Sequence, residues 1–284
     1  MPRSDAIASL PQPALPDDGV QVLDLATGKL TRQERALAVE MPVNVVYAPI
    51  PFAVMMTTPQ DLEDFAYGFS FTEGIIDRPQ DIRSVAVEEG EGGLRLVISL
   101  ASEKMQRHLA RGRNIAGRTG CGLCGIDDLK SMPKAKEIAR PKQDVELAAI
   151  NRALKDIVAA QQLNKITQSV HAAAWCRRNG EIAAIREDVG RHNALDKLIG
   201  AALRNGFEPD DGFLLLTSRA SFEMIEKAAI FGARTVVNIS APTSLAVRRA
   251  RDNGITLIAM ARNGSALVFS GADRIRTESR VSGA

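Results

Sequence analysis

Cys121 and Cys124 lie three residues apart within Thr119-Gly120-Cys121-Gly122-Leu123-Cys124-Gly125. Glycines on both sides keep the backbone open and free to bend around the two thiols. Arg111, Arg113 and Arg118 come just before the pair, and nearby cations lower a thiol's pKa and raise its thiolate fraction. Such a thiolate can accept a sulfane sulfur and hold it as a persulfide, a reversible state. The same residues admit other chemistry. A structural zinc site takes four N or S ligands, and the remaining candidates are Cys176, His108, His171 and His192. A thioredoxin-like dithiol belongs where a strand runs into a helix, whereas this pair sits in a glycine-rich stretch without periodicity.

A second group of residues points to anion binding. Three apolar runs, 213–216, 235–239 and 256–260, read as strands. Each is followed by a short polar loop: Thr217-Ser218-Arg219-Ala220-Ser221, Ser240-Ala241-Pro242-Thr243-Ser244, and Ala261-Arg262-Asn263-Gly264-Ser265. In an open parallel sheet, ligands bind beyond the carboxyl ends of the strands. Two of these loops lead into helices, whose free N–H groups attract anions. Arg219 and Arg262 add fixed charge suited to phosphate. The competing explanation is helix capping by Ser221, Thr243 and Ser244, which needs no ligand.

The run Arg186-Glu187-Asp188-Val189-Gly190-Arg191-His192-Asn193 has the groups for acid–base work, or Asp188 or Asn193 caps a helix. No His-x-Glu deaminase signature is present, because Ala194 stands where the Glu would be. Strand alternation puts Val170, Ala172, Ala174 and Cys176 on one face and His171, Ala173 and Trp175 on the other. Cys176 then reads as a small core residue, and His171 either lines a site or rests beside Trp175.

The elements that position these residues follow from periodicity and turn chemistry. Helices are expected at 193–204, 222–231 and 244–252, alternating with the three strands. That β-α-β-α-β run predicts a parallel sheet covered by helices. Asn179-Gly180 predicts a hairpin between strands at 169–176 and 181–186. Upstream, a half-buried strand at 20–26, Val-rich strands over 36–56, a helix over 59–71 and a hairpin across Gly90–Gly93 make an α+β portion. A further helix is expected at 147–162. The fold class is therefore α/β with an α+β N-terminal portion. Its expected divisions are a disordered 1–18, a smaller domain 19–126 ending in the Cys loop, a mobile linker 127–145 and a larger domain 146–284.

The chain has 284 residues and a formal net charge of +2, which gives no case for a nucleic-acid partner. No apolar run approaches the ~20 residues needed to span a bilayer, and residues 1–18 lack the apolar core of a secretory signal. Three cysteines are too few, and odd in number, for a secreted disulfide framework. A reducing cytoplasm is expected.

The segment Gly117-Arg118-Thr119-Gly120-Cys121-Gly122-Leu123-Cys124-Gly125 resembles the signature loop of the FdhD family, sulfur carriers required for formate dehydrogenase activity. Further matches are Thr72-Glu73-Gly74-Ile75-Ile76, Val170-His171-Ala172-Ala173, the run from Glu187 to Lys197, and Ser218-Arg219-Ala220-Ser221-Phe222-Glu223-Met224. The resemblance implies a sulfurtransferase: a cysteine desulfurase loads Cys121 as a persulfide, Cys124 assists, and the sulfur passes to the molybdenum bis(molybdopterin guanine dinucleotide) cofactor of a formate dehydrogenase. It also implies a cytidine deaminase-like three-layer α/β/α sandwich in the C-terminal portion, without zinc chemistry, and a homodimer. The family's cofactor-binding segment falls on Met260-Ala261-Arg262-Asn263-Gly264-Ser265. Ser218, Arg219, Ser221, His171 and His192 are expected beside it. A GDP-like nucleotide is an expected occupant, and no metal ion of the protein's own is. The alternative is a cofactor-binding chaperone without covalent sulfur transfer. Two departures stand out: Gln168 and Ser169 replace glycines of the family's Thr-Gly-Gly-x-His pattern, and Met260 stands where Phe is common.

Overall fold

The structure is a computed structural model, and it describes residues 10–111, 144–262 and 264–277. The N-terminal elements begin with short pairs: β1 (Ala14–Asp17), β2 (Gln21–Leu23), β3 (Leu30–Arg32) and β4 (Arg35–Ala38). β1 pairs antiparallel with β4, so residues 14–17 of the expected disordered lead-in are strand. Pro16 is compatible with this because a two-stranded ribbon has only edge positions. The expected half-buried strand at 20–26 is instead β2, an exposed arm of a hairpin with β3. Partial alternation signalled strand there but could not say whether anything would cover it.

A four-stranded sheet follows from β5 (Met41–Tyr47), β6 (Ile50–Thr57), β7 (Ile82–Gly90) and β8 (Gly93–Leu100), in the order β6-β5-β8-β7. Helix α1 (Leu62–Thr72) lies between β6 and β7 and sets Leu62, Phe65, Ala66 and Phe69 into one core with Val43, Val45, Leu96 and Ile98. Helix α2 (Ser102–Arg111) closes this part.

After residue 144 come β9 (Val145–Glu146), α3 (Leu147–Ala160), α4 (Gln162–Thr167), β10 (His171–Arg177), β11 (Ile182–Asp188) and α5 (Arg191–Asn205). Then β12 (Gly212–Leu216), α6 (Phe222–Phe231), β13 (Thr235–Asn238), α7 (Ser244–Asp252), β14 (Thr256–Arg262), β15 (Ser265–Ser270) and β16 (Ile275–Arg276) complete the chain. One six-stranded sheet runs β11-β10-β12-β13-β14-β15. β12, β13 and β14 are parallel, as the alternating strands and helices require. The β10–β11 hairpin and β15 extend the sheet antiparallel at either side. The expected single helix at 147–162 is two, α3 and α4, divided at Gln161. Val145, at the end of the expected linker, is buried and pairs through β9 with β16.

Helices cover both faces of this sheet. α5, α6 and α7 bury one face through Leu195, Leu198, Met224, Ile225 and Ala246 against Trp175, Leu214 and Val236. α3 buries the other through Ala149, Ile150, Ala153 and Ile157 against Cys176, Leu215 and Ile258. Ala173 and Trp175 thus face one core while Ala174 and Cys176 face the other, as strand alternation predicts. The N-terminal part docks where α1 crosses α5 on a pair of glycines. A Cβ on Gly68 would lie 1.7 Å from the Asp196 carbonyl oxygen, and one on Gly200 would lie 1.8 Å from that of Asp64. Only hydrogen at both positions lets the two backbones touch.

Candidate functional site

Parallel pairing places the loops after β12, β13 and β14 at one edge of the sheet, and backbone bonds join them. Ala220 N donates to Ala241 O at 3.2 Å, Thr243 N to Ala220 O at 2.9 Å, and Met260 N to Ser240 O at 3.2 Å. Antiparallel pairing brings the start of β10 and the end of β11 to the same edge, with His171 opposite Asp188. Ala172 N donates to Thr217 Oγ1 at 2.9 Å, tying β10 to the first loop. His171, His192, Ser218, Arg219 and Ser221 are therefore gathered along this edge, with Arg219 exposed and Ser218 and Ser221 buried.

Capping accounts for one hydroxyl and not for another. Thr243 Oγ1 accepts from Ala246 N at 3.2 Å and caps α7. Ser221 holds the N-cap position of α6 but makes no side-chain cap bond, and its buried Oγ has no hydrogen-bond partner among the described residues. Arg191 Nε, His192 Nε2 and Asn238 Oδ1 are likewise buried and without partners there. Leaving such groups unsatisfied costs about 1–3 kcal/mol each, so each calls for a polar partner such as water or a bound group. Burial pushes the His192 pKa down to about 4, helped by the Arg191 and Lys227 charges. Burial and Arg191 also lower that of His171. Both imidazoles are neutral at pH 7. Arg191 enters the sequence reading only within the acid–base run, and Asn238 not at all. The available signals were a cation at the first position of a helix and a polar residue ending an apolar strand.

The segment from Met260 bends sharply. Met260 has φ +55° and Gly264 φ +75°, and the β14–β15 register shifts between Ala259 and Arg262. Ala261 is buried, while Arg262, Gly264 and Ser265 are exposed; Asn263 lies outside the described residues. Ala261, Arg262, Gly264 and Ser265 line a groove of about 610 Å³ between α3 and β14–β15. Its floor includes Ile150, Leu154, Ile239 and Ile258, and Lys155 stands at its side. An apolar floor flanked by two cations suits a flat, anionic ligand.

The acid–base reading of the 186–193 run gives way to a structural one. Asp188 is fully buried and accepts from Lys197 Nζ (2.6 Å), Thr57 Oγ1 (2.8 Å), Thr58 N (3.0 Å), Gly190 N (2.7 Å) and Asn193 Nδ2 (3.0 Å). Its lone pairs are used in fastening the β11–α5 turn to the end of β6. Glu187 accepts from Leu163 N and Asn164 N, both at 2.8 Å, at the start of α4. Asp196 accepts from Thr72 Oγ1 at 2.8 Å and pairs with Lys227 at 2.9 Å, a second fastening, here of α1 to helices α5 and α6.

Cys121, Cys124, Arg113 and Arg118, and the side chains of His108 and Arg111, lie outside the described residues. Cys176 is 0% exposed, and burial pushes its thiol up to about 12, so it holds no useful thiolate at neutral pH. Among the described residues, no group of three or more His, Cys, Asp or Glu is placed to hold a metal ion.

Comparison with known proteins matches residues 38–276 to the model of the FdhD/NarQ family. A protein of Xanthomonas euvesicatoria pv. vesicatoria named Sulfur carrier protein FdhD is 43% identical over 248 residues, 87% of this chain and 88% of that one. A protein of the same name from Cupriavidus necator is 42% identical over 254 residues, 89% of this chain and 88% of its own. A crystal structure from Desulfotalea psychrophila, described as a formate dehydrogenase accessory protein, superposes with a TM-score of 0.71. At 24% identity, it spans 93% of this chain and all of that one, and supports the mixed α/β fold.

Proposed function

Because the chain belongs to the FdhD/NarQ family, we propose that it is a sulfur carrier serving formate dehydrogenase, a sulfurtransferase with Cys121 as its persulfide-bearing residue. In the loading step, the Cys121 thiolate attacks the terminal sulfur of a persulfide on a cysteine desulfurase. The S–S bond there breaks, the desulfurase thiolate leaves, and a new S–S bond forms on Cys121. Cys124 lies close enough in sequence to relay or resolve that sulfur. The outer sulfur would then pass to the molybdenum bis(molybdopterin guanine dinucleotide) cofactor, the substrate, before its insertion into the catalytic subunit of formate dehydrogenase: the S–S bond on Cys121 breaks, Cys121 leaves as its thiolate, and the two electrons that take the sulfane sulfur to sulfide would come from the reduced substrate or a cellular thiol.

The burial of Cys176 carries the proposal. Of three cysteines in a chain so similar to sulfur carriers, this one is sealed in a core with its pKa near 12. The chemistry therefore falls to the glycine-flanked pair. The substrate's anionic nucleotide fits the strand-end edge: the groove beside Arg262 offers an apolar floor and cations, and His171, His192, Ser218, Arg219 and Ser221 lie farther along. A GDP-like nucleotide is the natural probe. The mixed sheet with helices on both faces supports a cytidine deaminase-like sandwich for 146–284, with a smaller domain ahead of it. A homodimer in the cytoplasm completes the reading; among the described residues no helix is long and apolar enough to cross a membrane.

Formate dehydrogenase activity in cells whose own carrier gene is deleted tests the proposal. Cys121→Ala should leave the enzyme inactive while the parent restores it. Full restoration by Cys121→Ala would favour a chaperone that holds the cofactor without covalent chemistry.

A further inference from the structure

The strands β1 to β4 form a two-stranded ribbon that the other described residues leave largely uncovered. The family match begins at residue 38, so residues 14–37 stand ahead of the matched region. β1 pairs with β4 and β2 with β3, and Gln33 N donates to Val20 O at 2.9 Å between the two pairs. The base of the ribbon is fixed, because Arg35 Nη2 donates to Gln168 Oε1 at 2.6 Å at the end of α4. Its tip is a built turn. Asp24 Oδ1 accepts from Ala26 N and Thr27 N, both at 2.9 Å. Gly28 N donates to Asp24 O at 2.8 Å, with Gly28 at φ +70°. The turn chemistry specifies a hairpin here rather than a loose tether.

A two-stranded hairpin alone is marginally stable in water, and its outer edges carry unpaired N–H and C=O groups. Among the described residues β2 and β3 pair only with each other, and every residue of both is exposed. Their side chains are nonetheless largely apolar. Leu23 stands opposite Leu30 on one face, 51% and 57% exposed, and Val22 is 44% exposed on the other. Leu25 at the tip is 91% exposed, and Leu15 and Leu37, opposite each other in the β1–β4 pair, are exposed as well. Together these side chains leave on the order of 700 Å² uncovered, close to the roughly 800 Å² per partner of a standard interface.

The charges select the occupant. Asp17, Asp18, Asp24 and Glu34 stand against Lys29, Arg32 and Arg35, and Asp18 already pairs with Arg32 at 3.1 Å. A ribbon so close to neutral meets its own copy without repulsion and offers no field to a strongly charged partner. Two copies related by a two-fold axis also give each open edge an identical edge to pair with. We infer that the hairpin of residues 21–32 is an arm that packs against a second copy of this chain, burying Leu23, Leu25 and Leu30 between the two. The inference rests on the homodimer of the proposed function and names the element that makes it.

Sedimentation velocity on the purified full chain across the micromolar range tests the arm, together with hydrogen exchange of the hairpin amides. Leu23→Asp/Leu30→Asp puts two carboxylates on its apolar face. Leu25→Asp, at the tip and outside the ladder, leaves the hairpin itself intact. In each the dissociation constant of the dimer should rise about 100-fold or more. Amides of 21–32 should be protected in the parent dimer and lose that protection on dilution to monomer. A parent dimer that both variants leave intact, or whose hairpin amides exchange freely, refutes the arm while the homodimer stands on another surface. A parent that stays monomeric overturns both. Protection that persists in the monomer places the arm against its own chain and overturns the inference.

Discussion

Gly200→Ala sets two familiar effects against each other, and the structure decides between them. Within a helix, Gly→Ala is worth about 1 kcal/mol of stabilisation from propensity alone. Here the new methyl would stand 1.8 Å from the Asp64 carbonyl oxygen and 2.8 Å from the Gly68 nitrogen. Both are backbone atoms and cannot rotate away. Restoring ordinary contact requires α1 and α5 to part by about 1.6 Å at the crossing. A gap of that size forfeits half or more of the dispersion energy of the lining atoms. It also stretches the links that span the same interface: Arg204 to Asp64 at 2.5 Å and Thr72 to Asp196 at 2.8 Å. Overpacking of this kind costs about 1–3 kcal/mol or more before such links are counted. The net expectation is a loss of about 2–4 kcal/mol, which lowers Tm by about 5–10 °C for a chain of this size. Calorimetry and urea melts of parent and variant measure it. Gly68→Ala should behave the same way, and the double variant should cost less than the sum, because one separation relieves both clashes. A Gly200→Ala protein as stable as the parent, or about 1 kcal/mol more stable, would refute the close crossing.

Three further outcomes are expected. Lys197→Met leaves the buried Asp188 carboxylate without its cation at 2.6 Å and should cost about 3–5 kcal/mol in urea melts. Adding Asp188→Asn should recover part of that, and a single-variant loss below about 1 kcal/mol would contradict the network. His192 is neutral in the fold, its pKa moved from 6.5 to about 4 by burial, Arg191, Lys227 and His171 against the opposing Glu223. The unfolded chain thus binds this proton more readily between those values. Stability should fall by up to about 3 kcal/mol as pH drops from 6.5 to 4, and His192→Gln should flatten that part of the profile; an unchanged profile speaks against the buried neutral imidazole. Gln168 caps α4 with φ +55°, a conformation that glycine adopts without strain. Gln168→Gly should raise stability by about 0.5–1 kcal/mol, despite losing the exposed bond from Arg35, and any fall in Tm would deny that the residue is strained.

Local chemistry made much of the C-terminal part legible. α6 and α7 begin and end where capping residues and apolar periodicity place them, at Phe222–Phe231 and Ser244–Asp252. Asn179-Gly180 joins β10 and β11 as a hairpin should. Pairings without a local signal were not legible. β5 pairs with β8 in parallel across α1, and β15 adds itself antiparallel beyond β14. The α1–α5 crossing depends on two glycines, Gly68 and Gly200, that in isolation read as flaws in helices. The site was partly legible for the same reason. Parallel topology forces the three loops to one edge, but nothing near Asp188 in sequence shows that Thr57 and Thr58 will saturate it. Asn193 is likewise held by Met56 O at 2.7 Å, 137 residues away.

The most direct test is intact-mass and peptide mass spectrometry of the purified chain after incubation with a cysteine desulfurase and free cysteine. The peptide containing Cys121 should gain the mass of one sulfur atom, lose it on treatment with a thiol reductant, and show no gain in Cys121→Ala, while Cys176 stays unmodified throughout. Sulfur accumulating on Cys176, or on no cysteine while the chain still activates formate dehydrogenase, would contradict the account.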